Sequence, residues 1–328
     1  MPGGGTRTFL DPDHYEASLR DAQIEAIVVS RTQFGARRTQ FRARLTWAEL
    51  HHLQTLRCEE DSPRVAYMRL ARRLAFVTIP INSAPLPVWR GVELQAGDIV
   101  FHSRGERLHQ LARGPFVWNV IAIDPAQLEH DARALIAKSV ASPLEGQLLR
   151  PSRRNMARLQ RLHAQVCRLA ETNSKMLSHP EVARAIEQDL MHALVNCLTT
   201  ISARSDGFSG RHQTYTMLRF EEILAENLSH APSMSELCGR VGVSERTLRS
   251  CCAEFLGMSP IRYVLLRRLR EVHSALRDAD PDTVNVAEVA HRFGFAQFGR
   301  FAGAYRAIFG ETPSTTLQST PGARFTAF

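Results

Sequence analysis

One short pattern occurs twice near the end of the chain, and it limits the possible folds more than any other feature. The segment SELCGRVGV (235–243) matches AEVAHRFGF (287–295) at a constant offset of 52. Beyond the shared glycine the offset becomes 53, because the second copy carries one extra residue. The match continues in Leu248 with Phe301, Phe255 with Ile308, Gly257 with Gly310 and Pro260 with Pro313. Such a repeat predicts two copies of one small folded unit.

Each copy has the spacing of a helix-turn-helix unit. A small residue, Cys238 or Ala290, lets a second helix cross closely, and a glycine follows four residues later. Gly242 and Gly294 then occupy the turn, where the backbone needs a positive φ that other residues adopt only at a cost. Ser244 can cap the next helix by accepting a backbone N–H. One copy alone would also fit an ordinary helical hairpin, but two copies in register favour the helix-turn-helix.

The segment between the copies predicts a rigid connection. Pro260 suits the first turn of a helix, and apolar residues recur behind it at helical spacing. About 18 helical residues span roughly 27 Å. Successive major-groove segments on one face of a duplex lie about 34 Å apart. We therefore interpret the repeat as two DNA-reading heads on one connecting helix, placed in successive major grooves.

The last hundred residues or so resemble the AraC/XylS family of bacterial transcription regulators. The second copy carries the family pattern of glycine, aromatic residues and proline in Gly294, Phe295, Phe301, Tyr305, Phe309, Gly310 and Pro313. Many members carry Arg two residues after the position of Phe301, where it reaches DNA, but this chain has Gly303 there. The resemblance therefore implies weaker base reading by the second head, with Arg300 as a substitute.

The same resemblance implies which side chains touch DNA. The expected base contacts are Arg246, Arg249 and Ser250 in the first head and Gln297, Phe298 and Arg300 in the second. Ser244 and Thr247 are expected to hold phosphates. An arginine in this setting can bind guanine through two hydrogen bonds, for about 1–3 kcal/mol of discrimination. Two alternatives stay open: the arginines could be solvated and paired with Glu245 or Glu254, and Phe298 could belong to the core.

The first part of the chain has the pattern of short strands followed by helices. Between 20 and 125, runs rich in β-branched and aromatic residues alternate with turn residues, which is typical of a β-sandwich or small barrel. Apolar residues at helical spacing then predict a hairpin of two helices over 152–201. Residues 1–13 are predicted to be disordered, and the polar segment 203–213 is predicted to be a linker.

The segment AGDIVFHSRGERLHQ (96–110) resembles the cupin-like sensory half of many AraC/XylS relatives. The resemblance implies a cupin-like sensory and dimerisation domain over 14–202 and a tandem helix-turn-helix domain over 214–318. The residues expected around a small-molecule effector are Trp89, Phe101, His109 and Trp118. Each of these could also simply be core. His102 and His109 lack the His-x-His spacing of cupin metal sites, so neither a metal nor another cofactor is predicted.

The predicted fold class is therefore α+β with more than one domain. A cupin-like β-sandwich or barrel with a helical dimerisation hairpin precedes an all-α domain of tandem helix-turn-helix units. The net charge of +8 over 328 residues favours an anionic partner. However, the stretch 211–328 holds 14 arginines against 12 acidic residues, so charge alone is a weak indication of DNA binding. No apolar run is long enough to span a membrane, and the chain does not start like a signal peptide, which predicts a cytoplasmic protein.

The sequence does not predict an enzyme. It has no phosphate-binding glycine loop, no nucleophile elbow and no HExxH motif. Cys58 lies in LRCEED among acidic residues, which would raise the pKa of its thiol and so disfavour a reactive nucleophile. The adjacent Cys251 and Cys252 could form a redox switch, but core packing is the simpler interpretation.

These observations together predict a sequence-specific DNA-binding transcription regulator. Family resemblance implies an activator that binds double-stranded promoter DNA as a homodimer, responds to an unknown small-molecule effector and contacts RNA polymerase. The alternative is an architectural DNA binder that needs no effector.

Overall fold

The computed structural model describes residues 2–29, 41–81, 85–199, 203–204, 208–226 and 231–319. Within these ranges the chain forms two compact units, and the boundary between them falls between Phe208 and Ser209. The unit before this boundary is rich in strands, and the stretch after it is helical. The predicted fold class is confirmed.

Within the described ranges the first unit consists of two antiparallel sheets, four α-helices and one short 3-10 helix (Ser174–Ser178). Its strands are β1 (Gly3–Phe9), β2 (Ile24–Val29), β3 (Ala43–Glu49), β4 (Leu53–Glu60), β5 (Arg64–Leu70), β6 (Ala75–Ile81), β7 (Val88–Trp89), β8 (Val92–Glu93), β9 (Ile99–Phe101), β10 (Arg107–Ala112), β11 (Phe116–Ile123), β12 (Gln147–Leu149) and β13 (Ala203–Arg204). Its helices are α1 (Pro12–Asp21), α2 (Pro125–Ile136), α3 (Arg153–Thr172) and α4 (Pro180–Leu198). One sheet has the order β1-β3-β4-β11-β6-β9-β12-β13 and the other β2-β5-β10-β7-β8.

The larger sheet is apolar on both faces. Along β11, Val120 and Ala122 lie in an apolar cluster with residues of the smaller sheet. Ile121 and Ile123 lie in a second cluster with α3 and α4. Because successive side chains of a strand point to opposite faces, one strand serves both clusters. The nearly continuous apolar sequence of β11, FVWNVIAI, fits this burial on two sides.

The structure corrects the disorder predicted for residues 1–13. β1 pairs with β3 in continuous antiparallel register, and the side chain of Asp11 caps α1. A Cβ atom at Gly4 would lie 2.7 Å from Leu177 and 2.8 Å from the carbonyl oxygen of Trp47. The glycines that suggest disorder therefore allow β1 to pack closely against its neighbours.

The structure also corrects the linker predicted over 203–213. Ala203 and Arg204 form β13, which pairs with β12, and the next helix already begins at Phe208. Residues 205–207 lie outside the described ranges. A polar composition does not exclude an edge strand, because strand pairing uses backbone groups that almost every residue supplies.

The second unit contains seven described helices. They are α5 (Phe208–Glu226), α6 (Met234–Val241), α7 (Glu245–Leu256), α8 (Pro260–Asp278), α9 (Val286–Arg292), α10 (Phe298–Phe309) and α11 (Pro313–Gln318). The apolar stripe of α8 is buried, and its C-terminal half shares one cluster with Phe301 and Tyr305 of α10. No helix in the described part of the chain is long and apolar enough to cross a membrane.

Candidate nucleic-acid interface

The first helix-turn-helix unit, here called the first head, is formed by α6 and α7. Ser233 and Glu236 make a reciprocal capping box at the start of α6. The helix ends at Gly242, whose φ of 80° lies in the left-handed region that suits glycine. Ser244 starts α7 by accepting the backbone N–H of Thr247 on its Oγ at 3.2 Å. Short local signals therefore define both helix starts and the turn between them.

The second helix-turn-helix unit, the second head, is formed by α9 and α10. The side chain of Asn285 caps α9 by accepting the backbone N–H of Ala287 at 2.8 Å. Gly294 in the turn has a φ of 74°. α10 begins after Gln297, whose side chain makes no capping hydrogen bond. The second head therefore shares the turn glycine of the first head but lacks its side-chain cap on the second helix.

A buried carboxylate connects α5 to α8 beside the first head. Glu221 accepts hydrogen bonds from the Tyr263 hydroxyl and, at 2.8 Å, from Arg267 Nη1. Burial, together with the negative charge of Glu221, raises the pKa of Tyr263 well above its usual value. The Cys252 thiol of α7 lies 4.0 Å from the sulfur of Met217 on α5. α5, α7 and α8 are thus held together by one buried set of contacts.

Arg268 of α8 holds the turn of the second head. Its Nε atom donates to the carbonyl oxygen of Phe293 at 2.9 Å, and its guanidinium lies 4.3 Å from the ring centre of Phe295. Further along α8, His273 Nδ1 lies 2.7 Å from the hydroxyl of Tyr305 on α10. Since α8 has 19 residues and spans about 28 Å, it joins the two heads as one helical rod.

The outward face of α7 carries alternating charges. Arg249 forms an ion pair with Glu245 at 2.7 Å, and the Ser250 hydroxyl donates to Glu254 at 3.0 Å. Arg246 is exposed, and its guanidinium has no ion pair with any described residue. Arg249 and Glu245 are each about half exposed, so their pair contributes only roughly 0.2–1 kcal/mol and can exchange for another anion or acceptor.

Ser244 and Thr247 lie at the N-terminal end of α7. Their hydroxyl oxygens are 2.8 Å apart, and the Ser244 oxygen also accepts the Thr247 backbone N–H. Both hydroxyls therefore have a structural role in starting the helix. Ser244 is exposed and Thr247 is half-buried, which leaves the N-terminal end of α7 accessible to an anion.

The outward face of α10 is nearly bare. Phe298 is 45% exposed, which places it outside the buried core, and Arg300 is exposed beside it. Gly299, between these two residues, and Gly303 are also exposed, and a Cβ atom at either position would meet nothing within 4 Å. Arg306 is exposed further along the helix. Gln297 precedes this face and is exposed as well. The second head thus offers few side chains that could reach a base.

In the first unit, a cavity of about 10 Å³ lies between the two sheets, which is close to the volume needed for one water molecule. Its lining residues are Ile24, Met68, Leu70, Thr78, Trp89, Leu94, Val100, His102, Leu108, Gln110, Trp118 and Val120. Trp89 and Trp118 are therefore brought together, as the effector prediction requires. Phe101 is placed elsewhere, in the cluster below α3 and α4.

The prediction of Phe101 and His109 as pocket residues needs a correction by one position. The cavity is lined by Val100 of β9 and by His102, two residues further along the chain. It is also lined by Leu108 and Gln110 of β10. Because side chains alternate along a strand, the intervening Phe101 and His109 point away from it. His109 instead packs with Tyr67 at a ring-centre distance of 5.1 Å. Alternation alone does not tell which set of side chains on β9 and β10 faces the cavity, so the sequence could not separate Phe101 and His109 from their neighbours.

Most polar side chains at the cavity already form hydrogen bonds within the protein, and Trp89 is the exception described below. Glu60 accepts hydrogen bonds from Trp118 Nε1 at 3.0 Å and from the buried Arg64, which also donates to Gln110 at 2.8 Å. The Nδ1 atom of His102 lies 3.0 Å from Glu106 Oε2, and its Nε2 atom lies 3.0 Å from the hydroxyl oxygen of Thr78. The Trp89 Nε1 group is buried and has no hydrogen-bond partner among the described residues.

The described residues contain no group of three His, Cys, Asp or Glu side chains placed to hold a metal. All six cysteines are free thiols. Burial, followed by the charge of Glu60, raises the pKa of Cys58. Cys251 and Cys252 are both buried, and burial raises the pKa of each thiol. The adjacent cysteines are thus core residues in this structure, with thiols that stay protonated near neutral pH.

Comparison with known proteins identifies the helical unit. A helix-turn-helix domain family matches residues 237–319. The probable thc operon regulatory protein of Rhodococcus erythropolis is 37% identical over 89 residues, which cover 27% of this chain and 27% of that protein. The XylDLEGF operon transcriptional activator of Pseudomonas putida is 33% identical over 100 residues, covering 30% of this chain and 31% of that protein. The chain thus spans less than two thirds of the length of these relatives.

Two solved structures are similar over larger shares of their own chains. A probable AraC family transcriptional regulator from Rhodopseudomonas palustris is 32% identical, with 31% of this chain and 94% of that chain covered and a TM-score of 0.29. The AraC-like transcriptional activator CuxR is 13% identical, with 81% of this chain and 93% of that chain covered and a TM-score of 0.40. Both TM-scores lie below 0.5, and the assignment of the helical unit rests on the sequence matches.

Proposed function

This chain belongs to the AraC/XylS family of transcription regulators through its C-terminal helix-turn-helix domain, and we propose that it binds promoter DNA sequence-specifically and regulates transcription. The two heads enter successive major-groove segments on one face of the duplex. The observation that carries the proposal is the pair of helix-turn-helix units on the single 19-residue helix α8. The relatives are regulators by name, which favours a regulator over an enzyme.

In the first head, Arg246 and Arg249 are the base-reading residues of this proposal, with Ser250 beside them. Arg246 is exposed, and Arg249 is released from Glu245 when a guanine edge offers two acceptors. Ser244 and Thr247, at the end of α7 where helix dipole and free N–H groups favour anions, hold a phosphate. In the second head, Gln297, Phe298 and Arg300 make the base contacts, and the exposed Phe298 ring fits a thymine methyl group.

The strand-rich unit is the sensory part of this proposal. An effector enters between the sheets beside Trp89 and Trp118, and the cavity must widen to admit it, since its volume of about 10 Å³ is close to that needed for one water molecule. Homodimer formation through the α3–α4 part of the chain, contact with RNA polymerase and activation of transcription also belong to the proposal, by analogy with relatives whose names describe activators.

Selection of duplexes from a random pool by the full chain tests the proposal. We expect selected sequences to contain two short patterns whose centres lie about 10 bp apart. Arg246→Ala is then expected to relax the preference at one base pair and to weaken binding by about 1–3 kcal/mol. Arg113→Ala, which removes an exposed arginine between β10 and β11, is the matched control. Selection of unrelated sequences by the wild-type chain would contradict sequence-specific binding.

The small cavity favours a second candidate, the architectural DNA binder that needs no effector. A thermal-shift screen with small molecules separates the two. A compound that both raises the unfolding temperature and changes affinity for the selected duplex supports the sensor. The architectural binder requires affinity for DNA that no bound compound alters.

A further inference from the structure

α3 presents a basic surface that the heads do not use. The helix contains five arginines and one acidic residue, Glu171. Four of the arginines, here called the arginine stripe, are exposed and follow one another at intervals of four, three and seven residues: Arg154, Arg158, Arg161 and Arg168. At 100° per residue these positions share one narrow face of the helix. The opposite face, with Leu159, His163 and Val166, is buried against the sheet.

The arginine stripe has little counter-charge around it. Arg158 lies 4.0 Å from Asp189, and both side chains are about half exposed. Within the described ranges the other three arginines of the stripe form no ion pair. Glu171 is engaged elsewhere, since it pairs with Arg44 at 3.2 Å and accepts a hydrogen bond from Thr46 at 3.0 Å.

This arrangement is unfavourable for the helix itself. Arginines three and four residues apart repel one another on a helix surface. Arg153 and Arg154 also lie in the first turn, where the helix dipole favours acidic residues, and this turn has none. A charge pattern that opposes local stability is expected at a site that serves a ligand.

We propose that the arginine stripe binds the phosphate backbone of duplex DNA next to the sequence held by the heads. The stripe extends over 14 residues, about 21 Å, and a duplex carries a phosphate every 3.4 Å or so on each strand. The proposal rests on the proposed function, because DNA bound by the heads supplies the polyanion at high local concentration. A symmetric contact between two copies of α3 would place arginine against arginine, so the stripe is not the dimer contact.

Salt-dependent binding of the full chain to two duplexes tests this inference. Both duplexes carry the same selected sequence, one limited to about 20 bp and one extended by flanking DNA to about 60 bp. The test variant is Arg154→Gln/Arg161→Gln/Arg168→Gln. The control variant, Arg20→Gln/Arg113→Gln/Arg133→Gln, removes three exposed arginines from α1, the connection between β10 and β11, and α2, and has the same net charge.

On the long duplex, the test variant is expected to bind about tenfold more weakly at low salt. Its slope of log affinity against log salt is expected to fall by about 2.7, or 0.9 for each lost phosphate contact. On the short duplex it is expected to match the wild-type chain. The control variant is expected to match the wild-type chain on both.

Equal behaviour of the two triple variants on the long duplex would overturn the inference. Loss of self-association by the test variant, with DNA binding intact, would overturn it too and assign the stripe to a protein partner. Failure of the proposed function looks different, because the wild-type chain would then select no sequence at all. If Arg246→Ala loses base preference while the stripe variant binds like the wild-type chain, only this inference fails.

Discussion

α7 and α10 occupy equivalent places in the two heads, but their outward faces are unlike. α7 presents two arginines, two glutamates and a serine, whereas the first half of α10 presents Phe298 and Arg300 interspersed with the bare glycines Gly299 and Gly303. The inward positions correspond, with Leu248 of α7 and Phe301 of α10 both buried. The comparison teaches that packing preserves the inner positions of a repeat, whereas the outer positions, which packing does not constrain, are free to differ.

The heads also differ in how they are attached to α8. The first head is attached partly through α5: a buried acid of α5, Glu221, pairs with Arg267 of α8, and Met217 of α5 contacts Cys252 of α7. The second is secured through Arg268, which donates to a backbone carbonyl. A charged acceptor is more sensitive to the loss of its partner than a carbonyl is. The attachment of the first head should therefore be the more fragile to a single substitution.

The largest expected effect is that of Glu221→Ala. The substitution leaves the Arg267 guanidinium buried without its carboxylate, which costs about 3–5 kcal/mol of unfolding free energy. Hydrogen exchange in α5 and α8 measures the loss. Glu222→Ala is the matched control, because Glu222 is half-exposed and its ion pair with Arg219 lies at the surface. Similar losses in both variants would show that the buried pair has no special part in holding the first head.

A smaller effect is expected for Arg268→Met. Methionine retains most of the apolar stem but removes the hydrogen bonds to the Phe293 carbonyl, at a cost of about 1.5–3 kcal/mol. The loss should appear as faster hydrogen exchange in α9 and α10, with α6 and α7 unchanged. Arg262→Met, at an exposed position near the start of α8, serves as the control. Faster exchange in all four helices would contradict separate attachment of the two heads.

The helix caps sharpen the comparison further. Ser244→Ala removes the cap of α7 and is expected to lower the unfolding free energy by about 1 kcal/mol. Gln297→Ser supplies the cap that α10 lacks and is expected to raise it by roughly 0.5 kcal/mol. Thermal unfolding of both variants measures these changes. The essential result is that the two substitutions change the unfolding free energy in opposite directions. If Ser244→Ala raised the unfolding free energy, the first head would not depend on its cap.

The repeat made the helical unit predictable. Its glycines, caps and apolar spacing are local signals, and the connecting helix predicted between the two copies is α8, Pro260–Asp278. The attachment of the heads was not predictable. Arg268 donates a hydrogen bond to the carbonyl oxygen of a residue 25 positions away, and every residue has a backbone carbonyl, so no residue type identifies the acceptor. The buried acid Glu221 likewise resembles its surface neighbour Glu222 until the packing of α5 is known.

The strand-rich unit was predicted only in outline. Alternation identifies the buried side of a strand when the other side is polar, but all three residues of β9 are buried. Phe101 was therefore indistinguishable from Val100 as a pocket residue, and the prediction missed by one position. The strand β1 was missed for a related reason, since glycine-rich composition reports chain freedom and not the close packing that Gly4 makes possible.

An effect of similar small size is expected on the bare face of α10, and it addresses the difference between the heads directly. Gly303 is an exposed residue within a helix, and an added side chain would meet nothing within 4 Å. Gly303→Ala and Gly303→Arg should therefore each raise the unfolding free energy by roughly 0.5–1 kcal/mol, because both residues favour helix more than glycine does. Gly299→Ala is the control for this stabilisation, since Gly299 has the same open surroundings.

DNA affinity separates these variants. Only Gly303→Arg adds a group that can reach a base or phosphate, so it alone should tighten binding to the selected duplex and give the second head a stronger base preference. Equal affinity of Gly303→Ala and Gly303→Arg would mean that α10 lies too far from the groove for an arginine to reach. The difference between the two heads would then come from their placement on α8, because side chains alone would not account for it.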